Sequence, residues 1–169
     1  MNNSILQINA KQWLNIDLDY ENLKLFDIYY ELVTEWNTIV NLTSISGYGE
    51  FMLKHILDSL VPIKWINDYK KDSIQIADVG TGAGFPGLPI KIIYPELKMC
   101  LIESTGKKAE FLRCAVDTLN LKEVTIFSDR AEIIGKNPAI TKGNSLSSLF
   151  TKIILIPSSP TSSVSTTLP

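Results

Sequence analysis

A glycine-rich segment near the middle of the chain has residue types that suit a nucleotide-like ligand. The largely apolar run Ile74–Val79 is followed by Gly80, Gly82 and Gly84, in the pattern G-x-G-x-G. Glycine has no Cβ, so the backbone can turn sharply and approach a ligand closely. In Rossmann-like folds a strand leads through such a loop into a helix, and the cofactor binds at the loop. A tight strand-to-helix turn that holds no ligand is the alternative.

The spacing of the glycines distinguishes between classes of ligand. A dinucleotide fingerprint requires glycine where Phe85 stands, and a P-loop requires lysine where Leu88 stands. Neither class fits, and a nicotinamide-dependent oxidoreductase is disfavoured. The remaining class is the loop that binds S-adenosylmethionine in Rossmann-like methyltransferases.

Acidic residues follow the next two predicted strands. Glu103 closes the second strand, where an acid in a Rossmann-like unit accepts hydrogen bonds from both ribose hydroxyls. The alternative for Glu103 is a solvated strand end. Asp129, Ala131 and Glu132 follow the third strand, where the adenine would lie. The spacing of Asp129 and Glu132 also resembles a capping box, and the two interpretations are compatible.

Basic residues near these positions could contact phosphate groups. Lys107 and Lys108 lie in the first turn of a predicted helix, where positive charge opposes the helix dipole. Together with Lys91, Lys98 and Arg113 they form a candidate phosphate-contacting patch, with an ordinary solvated face as the alternative.

The single histidine, His55, lies one helical turn from Asp58. A Ser-His-Asp hydrolase is formally available, but these neighbours share one helix and the chain has no nucleophile elbow. We expect a structural pair that packs near the glycine-rich loop. No cluster of metal ligands is predicted.

The pattern of apolar residues predicts an α/β, Rossmann-like fold behind an N-terminal helical extension. We expect the extension to cover residues 1–72 and a cofactor-binding core to cover 73–138. Residues 139–169 are expected to form a Ser/Thr-rich tail that is disordered in part. The predicted helices span 23–40, 49–61, 86–94 and 107–119, the last with Ser104 or Thr105 as its N-cap; the strands span 74–79, 98–103 and 124–128, with a further candidate strand at 152–156. The parallel sheet is therefore expected to be incomplete, with three strands or four at most.

The composition of the chain indicates which partners and which cellular compartment to expect. The chain has 169 residues, a net charge of −2 and a pI near 5.4, which is not typical of a nucleic-acid-binding domain. Any surface that binds RNA must therefore be local. Two cysteines, expected to be buried and reduced, and the lack of a signal peptide or long apolar run predict a soluble, cytoplasmic protein with no membrane partner. A monomer is the simplest expectation.

Several motifs occur in order over about residues 23–138. They read Tyr29-Tyr30-Glu31-Leu32, Glu35-Trp36-Asn37, Asn41-Leu42-Thr43-Ser44-Ile45, Lys54-His55-Ile56-Leu57-Asp58-Ser59-Leu60, Asp78 through Gly87, Glu103-Ser104, Lys107-Lys108, Phe111-Leu112 and Asp129-Arg130-Ala131-Glu132. Together they resemble one family, the small-subunit ribosomal RNA guanine-N7 methyltransferases, also called glucose-inhibited division protein B. The segments around His55 and the glycine-rich loop are the most specific.

This resemblance implies a class I methyltransferase that transfers a methyl group from S-adenosylmethionine to N7 of one guanine in 16S rRNA. By position, Gly80 and Phe85 line the cofactor, and Ala131 and Glu132 lie beside the adenine. Guanine N7 already presents a lone pair, so no general base is required, and no residue is assigned a catalytic role. The partner is 16S rRNA or the small ribosomal subunit.

The chain departs from the family after the third predicted strand. The family continues there with a fourth-strand segment and an arginine-containing cofactor motif, whereas here Lys136-Asn137-Pro138 leads into the Ser/Thr-rich tail. A frameshift or truncation near residue 139 would explain this change. The alternative function is a non-catalytic fragment that binds cofactor or a partner only.

Overall fold

The structure is a computed structural model, which describes residues 4–45, 47–66, 75–136 and 153–157. Its helices are α1 (Ser4–Asn9), a π-helical turn (Ala10–Leu14), α2 (Tyr20–Asn37), α3 (Tyr48–Glu50), a π-helical segment (Phe51–Leu57), α4 (Asp58–Leu60), α5 (Ile63–Ile66), α6 (Gly87–Ile93), α7 (Gly106–Thr118) and α8 (Ala131–Lys136). Its strands are β1 (Gln75–Val79), β2 (Lys98–Ile102), β3 (Val124–Phe127) and β4 (Ile153–Pro157).

The four strands form one parallel sheet in the order β3-β2-β1-β4. Strands alternate with helices along the core, so the predicted α/β, Rossmann-like class is confirmed. The candidate strand at 152–156 corresponds to β4, one residue further on, which pairs with β1. The rest of the predicted tail, residues 139–152 and 158–169, lies outside the described residues.

Side chains alternate between the two faces of the sheet, as the period of two in a strand requires. Ile76, Met99 and Leu101 point into the larger apolar cluster, which also contains Leu88 of α6 and Phe111 of α7. Side chains of the helical extension belong to this same cluster. A smaller cluster on the other face joins Ala77, Cys100 and Ile102 to Ile134 of α8. Helices therefore cover both faces, as expected for a sheet of parallel strands.

The helical extension is helical as predicted, with different limits. Helix α2 begins at Tyr20 because Asp19 and Asn22 form a capping box, in which each side chain accepts a hydrogen bond from the other residue's backbone N–H. It ends at Asn37, before the predicted Val40, where the backbone tightens into bonds from the Thr38 and Ile39 N–H groups to Glu35 and Trp36. The Asn37 side chain then bonds the backbone of Leu42 and Thr43 in the segment that follows. The predicted boundary near residue 72 lies outside the described residues.

The second predicted helix, 49–61, contains a feature that the sequence pattern did not indicate. Its central part, Phe51–Leu57, is π-helical, between the short helices α3 and α4. A π-helical turn places side chains at a wider period than the 3.6 residues used to find the helix, and such turns are frequent at functional sites. In the described parts of the chain, no helix is long and apolar enough to cross a membrane.

The capping box gives the first testable prediction. Replacing Asp19 with alanine leaves the Asn22 N–H without its acceptor, so the free energy of unfolding should fall by about 1 kcal/mol. Chemical denaturation measures this change. Glu31→Ala, at an exposed position of the same helix, is the control and should change stability by less than about 0.5 kcal/mol. Equal effects of the two substitutions would contradict the role of the cap.

Candidate functional site

The carboxyl ends of β1, β2 and β3 lie side by side, and the loops that follow them share one edge of the sheet. The Gly80 N–H donates to the Ile102 carbonyl at 2.8 Å, and the Glu103 N–H donates to the Phe127 carbonyl at 3.0 Å. The glycine-rich loop after β1 therefore lies beside Glu103, which in turn lies beside the end of β3. In open α/β sheets, ligands bind at this edge.

The glycine-rich loop uses glycine for both conformation and space. Gly80, Gly82 and Gly84 have φ of 73°, 60° and 96°, values that L-residues adopt only at a cost. A Cβ on Gly84 would collide with the Leu88 side chain and lie 2.8 Å from the Tyr29 hydroxyl. A Cβ on Gly82 would meet only the Gly80 carbonyl, at 3.9 Å. Gly84 is thus closely packed against side chains of the protein, whereas Gly82 faces open space.

A buried carboxylate holds the loop to the start of α6. Asp78 Oδ2 accepts hydrogen bonds from the Thr81 hydroxyl at 2.6 Å and from the Gly87 N–H at 2.8 Å. Asp78 is fully buried, and its Oδ1 has no hydrogen-bond partner among the described residues. Asp78 was not predicted to have a role, although an acid inside an apolar strand just before the glycines was an available signal.

Burial shifts the protonation of this carboxyl group. Loss of solvent raises the pKa of Asp78 to about 7, although the hydrogen bonds from Thr81 and Gly87 act in the opposite direction, and the charge of Glu103 adds to the rise. The charge of Asp78 contributes in turn to the raised pKa of Tyr29 and of Cys100, both of which result mainly from burial.

Glu103 links the glycine-rich loop to helix α7. One carboxylate oxygen, Oε2, accepts the Gly82 N–H at 3.0 Å, and the other, Oε1, accepts the Thr105 N–H at 2.7 Å. Glu103 is buried, so the alternative of a solvated strand end is wrong. Each oxygen of a carboxylate can accept a second hydrogen bond, so Glu103 retains acceptor capacity for a ligand with hydroxyl groups. Thr105 is the N-cap of α7, but its side chain makes no capping bond.

The helical extension contacts the glycine-rich loop directly. The Tyr29 hydroxyl of α2 donates to the Ala83 carbonyl. The His55 ring stacks on the Phe85 ring, with centroids 4.4 Å apart and an angle of 9° between the planes. Phe51 and Tyr29 also pack against Phe85. The expectation that His55 packs near the loop is confirmed, and its hydrogen-bond partner is Thr43; Asp58 acts on it only through its charge.

The residues after β3 lie at the same edge of the sheet. Helix α8 begins at Ala131, which packs with the smaller apolar cluster. The Asp129 side chain accepts from the adjacent Arg130 N–H. Asp129 lies two residues before the helix begins, and the capping box between Asp129 and Glu132 stays a prediction. The side chain of Glu132 lies outside the described atoms.

The candidate basic patch loses one member. Lys91 is fully buried, and its Nζ donates to the carbonyls of Pro95 and Leu97, so it cannot contact a phosphate. It instead satisfies carbonyls at the turn between α6 and β2. Lys98, Lys107 and Arg113 are exposed, and the patch without Lys91 stays a prediction. Within the described ranges, no three histidine, cysteine or acidic side chains are placed to hold a metal ion.

The packing of Gly84 yields a matched pair of substitutions. Gly84→Ala forces a Cβ into Leu88 and Tyr29 at a positive φ, so the free energy of unfolding should fall by about 2–4 kcal/mol. Gly106→Ala places a Cβ in open space at the start of α7, and stability should stay the same or rise by up to about 1 kcal/mol. Urea denaturation of both variants checks this. Similar losses in the two would show that Gly84 is not tightly packed.

The pKa of Asp78 predicts how stability changes with pH. The folded state binds the proton more tightly than the unfolded state, so Asp78 stabilises the protein below about pH 4, and this contribution is lost as the pH rises to about 7. Asp78→Asn removes this term. The stability of the wild type relative to Asp78→Asn should therefore fall between pH 4 and 7 and stay constant above it, as measured by denaturation at several pH values. Parallel pH profiles would contradict the shifted pKa.

Comparisons with known proteins agree with this architecture. A family model described as rRNA small subunit methyltransferase G matches residues 22–142. The chain is 44% identical over 126 residues to the ribosomal RNA small subunit methyltransferase G of Lachnoclostridium phytofermentans, covering 74% of this chain and 51% of that protein. The protein of the same name from Lactococcus lactis subsp. lactis is 42% identical over 132 residues, covering 77% of this chain and 54% of its own length.

The match is extensive for this chain and partial for its relatives. The chain spans about half the length of the curated relatives it matches. The matched segment contains the extension from α2 onward, the glycine-rich loop, Glu103 and the residues after β3. The resemblance seen in the sequence is confirmed: this chain belongs to the rRNA small subunit methyltransferase G family.

Proposed function

We propose that this chain binds S-adenosylmethionine at the carboxyl ends of β1, β2 and β3, and that it carries the cofactor half of an enzyme that methylates N7 of a guanine in 16S rRNA. The observation that carries the proposal is the bridge from Glu103 Oε2 to the Gly82 N–H. It brings a buried acid with free acceptor capacity to a glycine-rich loop that has open space at Gly82.

The described residues fit this cofactor. Both ribose hydroxyls are donors, and Glu103 has one acceptor position left on each oxygen. Gly82 has room for a ligand against the backbone, and the Gly80 N–H is already used by Ile102, so Gly80 would serve by close approach only. Phe85, Ala131 and Glu132 complete the proposed lining, the last two beside the adenine.

In this reaction the protein has to position the cofactor and the guanine relative to each other. S-adenosylmethionine supplies an electrophilic methyl group on a sulfonium. Guanine N7 presents a lone pair, so the chain need not remove a proton before transfer. Its residues must orient the cofactor and keep the attacking atom in line, and such orientation alone can contribute a large part of a rate enhancement. Glu103 and the glycine-rich loop would fix one side of that arrangement.

The proposed substrate is ribosomal RNA. The reaction would take place in the cytoplasm, and the methylation would be a step of rRNA processing. Lys107, Lys108 and Arg113 on α7, with Lys98, are the proposed phosphate contacts. An exposed or unstacked guanine is the form in which a protein can reach a base edge in RNA.

The partial coverage of the relatives favours a second candidate function, cofactor binding without catalysis. Because the chain covers about half of each relative, it would bind the cofactor without methylating RNA if essential parts lie in the other half. Transfer of labelled methyl groups to 30S subunits or 16S rRNA that lack the modification separates the two. Incorporation that depends on Lys107 and Lys108 supports the enzyme, whereas cofactor binding without incorporation supports the second candidate.

Loss of the Glu103 acceptor should weaken cofactor binding. Glu103→Gln retains the shape but replaces one acceptor oxygen by a donor, so the Kd for S-adenosylmethionine should rise by about tenfold to a hundredfold, as expected for a hydrogen bond to a charged group. Isothermal titration calorimetry gives this ratio. Glu110→Gln, an exposed acid on α7, is the control, and NAD serves as the ligand that should not bind. Equal Kd values for wild type and Glu103→Gln would remove Glu103 from the site.

A further inference from the structure

Two side chains of the helical extension contact the glycine-rich loop at Ala83 and Phe85, next to the Gly82 that Glu103 bonds. The Tyr29 hydroxyl bonds the Ala83 carbonyl, and the His55 ring stacks face to face on Phe85. Ala83 and Phe85 flank Gly84, whose positive φ and close packing leave the backbone little freedom. The position of the loop therefore depends on residues that lie outside the Rossmann-like core.

The His55 ring is itself held at its far edge. Its Nε2 lies 2.7 Å from Thr43 Oγ1, the same oxygen that accepts the Ile45 N–H at 3.1 Å. Thr43 is fixed in turn by Asn37, whose amide accepts the Thr43 N–H and donates to the Thr43 carbonyl. The imidazole thus cannot rotate about its χ2 axis without losing a hydrogen bond, so the plane of the stack on Phe85 is fixed as well as its distance.

His55 belongs to the π-helical segment, which presents two aromatic rings to the loop. His55 lies in Phe51–Leu57, and Phe51, at the start of that segment, packs edge-on against both the His55 ring and the Phe85 ring. These two rings, four residues apart on one helical face, therefore pack against one partner, Phe85.

We propose that His55 is a positioning residue for the cofactor loop: through its bond to Thr43 and its stack on Phe85, it sets where the glycine-rich backbone lies. This inference rests on the proposed cofactor site for its consequence, which is tighter binding of S-adenosylmethionine. The placement of the loop can be measured without any cofactor. His55 touches no reacting atom in this role, so it is not a catalytic residue.

The test combines amide hydrogen exchange of the cofactor-free chain with cofactor titration. The Gly82, Gly84 and Phe85 N–H groups all have acceptors within the protein, so their exchange rates report how often the loop opens. In His55→Ala these rates should rise by at least about tenfold, the size expected for loss of one aromatic contact and one hydrogen bond. The Kd for S-adenosylmethionine should rise by a similar factor.

Three further variants separate positioning from general packing. Thr43→Val removes the hydroxyl and should give a smaller rise in the same exchange rates, whereas Thr43→Ser keeps the hydroxyl and should behave as the wild type. Trp36→Leu is the matched control, because Trp36 packs the same extension onto Phe111, away from the loop. It should lower Tm without a selective effect on the loop. The threonine pair keeps the test available if His55→Ala does not fold.

The outcomes distinguish this inference from the proposed function. Exchange in the loop that rises no more in His55→Ala or Thr43→Val than in Trp36→Leu at equal loss of Tm would overturn the inference. A wild-type chain that fails to bind S-adenosylmethionine would overturn the proposed cofactor site, and the exchange rates would still decide whether His55 positions the loop. Selective loop opening with a raised Kd would support both.

Discussion

The buried carboxylate of Asp78 is the interaction on which the rest of the site depends. One of its oxygens joins the loop, through Thr81, to the first residue of α6, Gly87. The strand, the loop and the helix are thereby tied at a single atom inside the apolar core. Gly87 has to be glycine there, because a Cβ would lie 2.8 Å from that same oxygen. The cost of burying the charge appears as the raised pKa of Asp78, and the gain is a fixed direction for the backbone that follows.

A second carboxylate, Glu103, lies at the end of the neighbouring strand. It differs from Asp78 in how its two oxygens are used as hydrogen-bond acceptors. Asp78 uses one oxygen twice and is enclosed, whereas Glu103 uses each oxygen once at the edge of the sheet. The first is therefore suited to building the loop and the second to receiving a ligand. Two carboxylates at the ends of adjacent strands thus differ in their partners: Asp78 has the structural role, and the binding role of Glu103 is part of the proposed function.

The sequence indicated the elements better than the contacts between them. Strands β1 to β3 and helices α6 and α7 were predictable because glycine, proline and alternating apolar residues report local backbone preference. Glu103 could be found because the topology alone places it. Lys91 could not be placed correctly, since its burial depends on carbonyls offered by the turn before β2. The sequence placed His55 near the loop, but it could not name the atoms that Tyr29 and His55 contact there, because Ala83 and Phe85 lie 54 and 30 residues further along the chain. The π-helical segment departs from the period on which helix prediction relies.

The strand order has a consequence for how the chain is made. β1 lies between β2 and β4, yet β4 comes from residues 153–157, the last described part of the chain. During synthesis, β1, β2 and β3 can pair long before β4 is available, and in that interval one side of β1 is an open edge. An unpaired edge strand offers its backbone groups to any other extended chain. The same strand that leads into the glycine-rich loop is therefore, until β4 arrives, an edge that can pair with the wrong partner, and the pairing of β4 removes it.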